Sequence, residues 1–474
     1  MKSKNGVEIF MKRPYAVTRC KKQNIFRTDT GPYRVGNINS PSDAFCLYIN
    51  AEMIQSVVNY TNDYAKSVDN DFKETNIKEI YKYIGCQLFI GIFQAKTEKL
   101  DEMWSDEFGR PFIKKAFTRH RFRCIKRFLR TDNRRERVVA THRKKLDPIR
   151  KFWNDFIVNC QKFYKPEVDV TIDEMMIPFR GKCSFKMYLP SKPCKYGIKI
   201  FAAVEKNSKY FYNGKIYEGK CGQSPEKNQA FNVCIELMNP LLNRGYNLCT
   251  DNYYSSFDLA RFLLRKKTSF VGTLRKNKPQ IPIVMNTASK REVKSSIYGY
   301  QKDLTVLSYV TKKSKYVLLL STLHIGPQKN VDNIPEIIND YNVMKTGVDV
   351  LDQILGYYTC RRGTNRWPYA VWMHMMDLAA HNAYVIFKKL HPEEFKSRRD
   401  FLLQLAKDLV GNSENSSADE IACNASKKPK SNYKKRCFMC ISAKDRKIKS
   451  VCHSCEKNVC SEHSQIICNK CFRK

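Results

Sequence analysis

The sequence has no apolar run long enough to cross a bilayer. Its longest stretches, such as Tyr316–Ile325, fall far short of the roughly 20 residues a spanning helix needs. An apolar N-terminal core segment is also missing, since Met1–Pro14 is polar and basic, which argues against secretion. These absences point to a soluble intracellular protein with reduced thiols. Its 19 cysteines then read as small buried hydrophobes or metal ligands, not as a disulfide framework. Acidic residues are scarce: 46 Asp and Glu against 85 Lys and Arg leave a net charge of +39. Such an excess on a globular chain suggests a polyanion partner, because neutralising phosphates releases condensed counterions. A generically basic protein, such as a ribosomal one, has the same balance, so charge alone does not identify an enzyme. With 42% hydrophobic and 12% aromatic residues the 474-residue chain can bury sizeable cores, which excludes wholesale disorder.

The texture changes along the chain, without an internal repeat. Residues 1–40 are basic and aperiodic, and read as an extended or flexible arm. From Pro41 to about Pro166 the apolar spacing is helical, as in Ile54, Val57, Val58 and Tyr64, or Ile77, Ile80, Tyr81, Ile84 and Leu88. Phe112–Arg130 reads as a helix dense in Lys and Arg, suited to phosphate or simply to solvent. Short β-rich runs follow. Val168, Val170 and Ile172 alternate with Asp169, Thr171 and Asp173, and further runs lie at Tyr196–Val204, Lys209–Tyr212, Tyr246–Thr250 and Ser269–Leu274. Helical patterns at Asn228–Asn239 and Ser256–Arg265 between them predict a mixed α/β sheet. Turns and short strands fill Lys276–Glu336. Tyr341–Leu355 returns to helix, and Trp367–Lys389 is a long apolar helix with Pro368 in its first turn.

Four aspartates sit where a metal site would want them. Asp173 ends an alternating strand, on the face opposite its apolar residues, and Asp251 follows the Tyr246–Thr250 strand. Asp349 and Asp352, three apart, share one face of a helix. Mg²⁺ prefers a few carboxylates plus water and phosphate oxygen. Two such ions can activate an attacking oxygen and stabilise a leaving one at phosphorus. Taken singly, each aspartate reads as well as a cap or surface residue.

The surrounding motifs carry more. Thr171–Gly181 (TIDEMMIPFRG) with Pro190–Lys199 (PSKPCKYGIK), then Thr250–Ser256 (TDNYYSS), then Gly347–Gln353 (GVDVLDQ) with Arg361–Pro368 (RRGTNRWP) closely resemble, in order, the catalytic segments of piggyBac-type DNA transposases. That resemblance implies an α/β RNase H-like catalytic core (167–278 and 337–358) with an insertion domain (279–336). A split α-helical dimerisation and DNA-binding domain (41–166 and 359–410) would flank it. It implies Asp173, Asp251 and Asp349 as the catalytic triad and Asp352 as the further ligand, holding two Mg²⁺ ions. The implied chemistry is nicking at transposon ends, hairpin formation and opening, and joining at TTAA targets. Lys192, Lys195, Arg361, Arg362 and Arg366 are candidates for gripping phosphates of double-stranded DNA, at terminal repeats and target alike, or else are solvated charges. Trp367 reads as a core anchor. Synapsing two ends implies a homodimer.

After a linker at 411–435, the segment 436–474 carries Cys437, Cys440, Cys452, Cys455, Cys460, His463, Cys468 and Cys471. Four ligand pairs match two closed tetrahedral Zn²⁺ sites, whose metal would supply the stability so short a segment lacks. An interleaved, cross-brace pairing joins Cys437 and Cys440 to Cys460 and His463, and Cys452 and Cys455 to Cys468 and Cys471. A sequential pairing, or His453 replacing a neighbouring ligand, meets the same need. The module resembles the cysteine-rich domain of the same family; a RING- or PHD-like finger is the generic rival. Lys427–Lys430 and Lys434–Arg436 read as a nuclear localisation signal or an extra DNA clamp. Competing with an active nuclear transposase are a domesticated, catalytically silent DNA- or chromatin-binding protein and a zinc-finger interaction protein.

Overall fold

The computed structural model describes residues 1–15, 25–133, 137, 144–190, 192, 194–219, 227–289 and 291–415. Beyond these it describes 435–437, 440, 447–448, 458 and 460–463. Met1–Glu414 form one compact unit and Asn415–Lys474 a second.

Polar caps set the starts of the first helices. Asn50 and Asn76 accept the backbone N–H groups of Met53 and Glu79, both at 2.9 Å, and so begin α2 (Ala51–Lys66) and α3 (Ile77–Ile92). Before them lies α1 (Pro41–Cys46), after them α4 (Leu100–Trp104). The basic stretch expected as one helix is two, α5 (Pro111–Ala116) and α6 (Arg119–Phe128), because Phe117 is extended and Thr118 caps the second. The apolar spacing runs on across the break and so hides it. A longer helix, α7 (Asp147–Lys162), leads into the sheet.

That sheet begins with β1 (Asp169–Pro178), β2 (Met187–Tyr188), β3 (Tyr196–Glu205) and β4 (Phe211–Ile216). It continues with β5 (Asn247–Thr250) and β6 (Ser269–Thr273), then β7 (Ser296–Gln301), β8 (Leu304–Lys312) and β9 (Lys315–Ser321). Its order is β2-β3-β1-β5-β6-β9-β8-β7, with β4 also on β3. β1 is antiparallel to β3, which is antiparallel to β4, while β5 and β6 run parallel to β1. The three strands of the expected insertion continue this sheet, since β9 pairs with β6 in antiparallel register. Helices α8 (Gln229–Met238), α9 (Phe257–Arg265), α10 (Glu336–Met344) and α11 (Gly347–Tyr357) pack against it. The single helix expected at Tyr341–Leu355 is therefore divided at Lys345–Thr346. α12 (Trp367–Leu390) opens with Pro368 and is buried from Tyr369 to Phe387 but for Tyr384, against α1 and α7. α13 (Arg398–Asn415) runs past the expected start of the linker at 411.

The N-terminal residues also depart from the expected loose arm. Phe10 is buried against Phe257, and Glu8 receives two hydrogen bonds from Arg261, at 2.8 and 2.6 Å. Met11 bridges to Tyr300 beside the β7 edge. An apolar ring and one acid within a basic stretch hold it down.

Candidate active site and cysteine cluster

The site starts from two parallel strands: Asp173 lies midway along β1, which continues to Pro178 past the end the alternation suggested, and Asp251 directly follows β5. Ile172 of β1 is in register with Thr250 of β5, so Asp173 and Asp251 follow at neighbouring strands, which lie about 4.8 Å apart. Beyond β5 the chain turns. Asp251 accepts the Tyr253 N–H at 2.8 Å, and the Ser255 hydroxyl donates to the Asp251 carbonyl at 2.7 Å. Gly272 on β6 makes room for that turn, because a Cβ there would stand 2.3 Å from Ser255 Oγ.

Helix α11 supplies the remaining carboxylates. It packs on β1 and β3, and just ahead of it the Thr171 hydroxyl donates at 2.8 Å to the carbonyl of Met344, the last residue of α10. Gly347 permits the approach: a Cβ would meet Thr171 Oγ1 at 2.9 Å. Asp349 and Asp352 follow in the first turns of this helix.

Lys192 is the cation these groups share. Its ammonium donates to Asp349 Oδ1 at 2.9 Å, and its charge acts on Asp173, Glu174 and Asp352. Burial pushes the Asp173 carboxyl up to about 8, helped by its bond to Glu174 and opposed by Lys192. Burial likewise raises Asp251 against the Tyr253 N–H, and Asp352 against Arg361 and Lys192. For Lys192 burial works downward, but Asp173 and then the bond to Asp349 outweigh it and raise the ammonium. Desolvated carboxylates that resist ionisation together are a donor set suited to a hard divalent cation. The side chains as they stand do not close in threes on one point. Among the described residues only Cys437, Cys440 and Cys460 have three ligand atoms within 4.8 Å of one another.

The remaining candidate cations divide. Lys195 is exposed. Arg361 donates to Thr359 Oγ1 at 2.9 Å and lies 3.8 Å from buried Asp377. Arg362 donates to the carbonyls of Ala95, at 2.9 Å, and Glu98. Arg366 donates to those of Lys126 and Arg127, at 2.9 and 3.0 Å, and of Leu129. These last two guanidiniums tie the chain before α12 to the loop after α3 and to the end of α6, a structural use of groups expected at phosphates. Trp367 meets Phe185 edge-on at 5.0 Å, as an anchor would. The sequence reading passed over Glu174, Lys199, Tyr253 and Arg275, although a lone lysine in the apolar strand Tyr196–Val204 was a visible signal.

In the C-terminal unit, Cys440 Sγ lies 3.7 Å from Cys460 Sγ, and the Cys460 N–H donates to Cys437 Sγ at 3.3 Å. Desolvation, then the bonds to Cys460 and Cys437, lift the Cys440 thiol to about 11. A cation would reverse that, and three sulfurs this close suit one tetrahedral ion. His463 lies in a 3₁₀ turn at Ser461–His463. Its side chain, with Cys452, Cys455, Cys468 and Cys471, lies outside the described residues.

Comparison with known proteins agrees with this layout. A family model described as Transposase IS4 matches residues 40–384. The human PiggyBac transposable element-derived protein 3 is 21% identical over 370 residues, 74% of this chain and 62% of that protein. The human Chimeric ERCC6-PGBD3 protein matches equally, over 34% of its length. The chain thus spans less than two thirds of these relatives. A cryo-EM structure of a piggyBac transposase synaptic complex with hairpin DNA superimposes with a TM-score of 0.78 at 30% identity, covering 94% of this chain and 100% of that one. No described helix is long and apolar enough to cross a membrane. With the family match covering most of its length and its mixed sheet and helices arranged as in that solved transposase, the chain belongs to the piggyBac-type transposase family.

Proposed function

We propose that the protein is an active cut-and-paste transposase that cleaves and joins DNA with two divalent metal ions. The observation that carries this reading is the convergence of Asp173, Asp349 and Asp352 on Lys192, with Asp251 at the neighbouring strand end. β1, β3 and β4 in antiparallel array, β5 and β6 parallel to β1, and carboxylates midway along β1 and just after β5 support an RNase H-like core. Asp173, Asp251, Asp349 and Asp352 would hold the ions. When bound, Mg²⁺ would lower the cost of charge on the attacking and leaving oxygens at phosphorus. The chain's own groups do the rest. The Tyr253 N–H orients Asp251, the β1–α11 contact brings Asp349 in, and Lys192 offers an ammonium to a scissile phosphate.

A net charge of +39 supports double-stranded DNA as the partner. Terminal repeats, TTAA targets and a homodimer follow from family kinship alone, as nuclear residence follows from Lys427–Lys430 and Lys434–Arg436. Two Zn²⁺ ions in the C-terminal unit fit its eight ligands, and the Cys437, Cys440 and Cys460 sulfurs would supply three of them.

The test is strand cleavage by the purified chain on duplexes bearing the repeats that flank its gene, with Mg²⁺ and an Asp251→Asn control. We expect nicks and hairpins at the repeat boundary, reduced at least about 10³-fold in the variant. Tight binding without cleavage would replace this reading with that of a domesticated DNA-binding protein, and neither binding nor cleavage would overturn both.

A further inference from the structure

Behind the carboxylates, a buried cation has no ion pair among the described residues. Lys199 lies on β3 in register with Met176, beside the Glu174–Phe201 pair, so strand alternation puts it on the Glu174 side of the sheet. It is 6% exposed. Among the described residues its side chain makes no ion pair and no hydrogen bond. Instead its ammonium stands 4.3 Å from the ring centroid of Phe201, 4.8 Å from Tyr217 and 5.7 Å from Tyr253. Burial lowers its pKa, and the charge of Glu174 works against that. Aromatic faces offset only part of the desolvation of an ammonium, so a thioether or alkyl chain of the same length would stabilise this position better. A charge held at such cost calls for a role.

Tyr253 connects it to the carboxylates. The backbone N–H of this residue orients Asp251, and its hydroxyl donates to Gln229 Oε1 at 3.2 Å. Its ring also lies 5.5 Å from the Arg275 guanidinium, which donates to the Asn252 carbonyl at 3.1 Å. One aromatic ring therefore receives cations from β3 and from the chain after β6, while its own backbone holds a carboxylate.

We propose that Lys199 is a positioning residue. Its ammonium, seated among Phe201, Tyr217 and Tyr253, fixes the Tyr253 ring and so the N–H that orients Asp251. This rests on the reading of Asp251 as a catalytic carboxylate.

Lys199→Met and Lys199→Arg in the full chain test it through three readouts: thermal melting, hydrogen exchange of the peptide spanning Thr250–Ser255, and Mg²⁺-dependent nicking. The methionine variant should melt at the same temperature or higher, because a buried charge is gone. Its Thr250–Ser255 peptide should nevertheless exchange about 10-fold faster and its nicking fall about 10-fold, as a locally loosened turn requires. The arginine variant should recover both to within about 3-fold, since it restores a cation over the rings. Unchanged exchange in Lys199→Met would overturn the proposal, as would an equal fall in stability and activity, or an arginine variant no better than methionine. If the wild type shows no nicking, the function proposed above fails, while the exchange comparison still decides the role of Lys199.

Discussion

At the residue scale, the cations around the carboxylates have separate duties, and substitution should expose them. Lys192 offsets the mutual repulsion of Asp173, Asp349 and Asp352 but also competes for them with any metal. In Lys192→Met, Mg²⁺ should bind about 10-fold more tightly by calorimetric titration, because a like charge next to the ion is gone. The same variant should melt lower without metal. Weaker Mg²⁺ binding would mean that Lys192 orients Asp349 for the ion instead. Arg366 should behave differently. Its fork is spent on three carbonyls at the end of α6, and burial lowers its pKa to about 10. Arg366→Ala should cost about 1–3 kcal/mol of stability by leaving partly buried acceptors unpaired. DNA affinity per folded molecule, measured by titration at a temperature where the variant is folded, should stay within about 3-fold, less than the loss of a phosphate contact at low salt.

At the element scale, α12 couples stability to pH. His381 is buried, its Nε2 lies 3.1 Å from the Lys209 carbonyl, and burial with the nearby Arg398 charge lowers its pKa to about 3. The unfolded imidazole takes up protons near its ordinary value of about 6.5, so the unfolded state binds more of them between those limits. Stability contributed by the neutral ring is therefore full above about pH 6.5 and declines as pH falls toward 3, by up to about 1.4 kcal/mol per pH unit. His381→Gln should flatten the acid limb of a melting-temperature profile between pH 6.5 and 4.5, and an unchanged slope would refute the assignment.

Elements also show what was legible in advance. The alternation at Val168–Asp173 and the apolar stripes of α2 and α3 needed no tertiary information, and the aspartates came with motifs several residues long. What stayed hidden depends on contacts remote along the chain. Arg366 meets carbonyls 237 to 240 positions away. The β6–β9 pairing joins strands whose own alternation says nothing about which edge they find. Lys192 lies in a turn, where no period indicates what its ammonium will meet.

At the scale of the whole molecule, the two compact units should respond separately to metal removal. The Cys437, Cys440 and Cys460 cluster belongs to a segment that metal would stabilise. A strong chelator should release about two Zn²⁺ per chain, as eight ligands at four per ion imply. It should speed hydrogen exchange in the Asn415–Lys474 unit and leave the main melting transition of Met1–Glu414 within about 1 °C, as separate cooperative units would. A coupled collapse of both units would contradict independent folding.

The Thr171–Met344 bond, which holds the last residue of α10 just ahead of α11, spans 173 positions of chain. At about 5–20 residues per second, the ribosome needs roughly 9–35 s between making β1 and making that partner. Asp173 is made at the start of that interval and Asp251 about midway through it, but the helix bearing Asp349 and Asp352 only after its end. The proposed nuclease is thereby kept without a complete set of carboxylates until about three quarters of the 474-residue chain has been translated, so chains terminated earlier lack the helix that completes the proposed site.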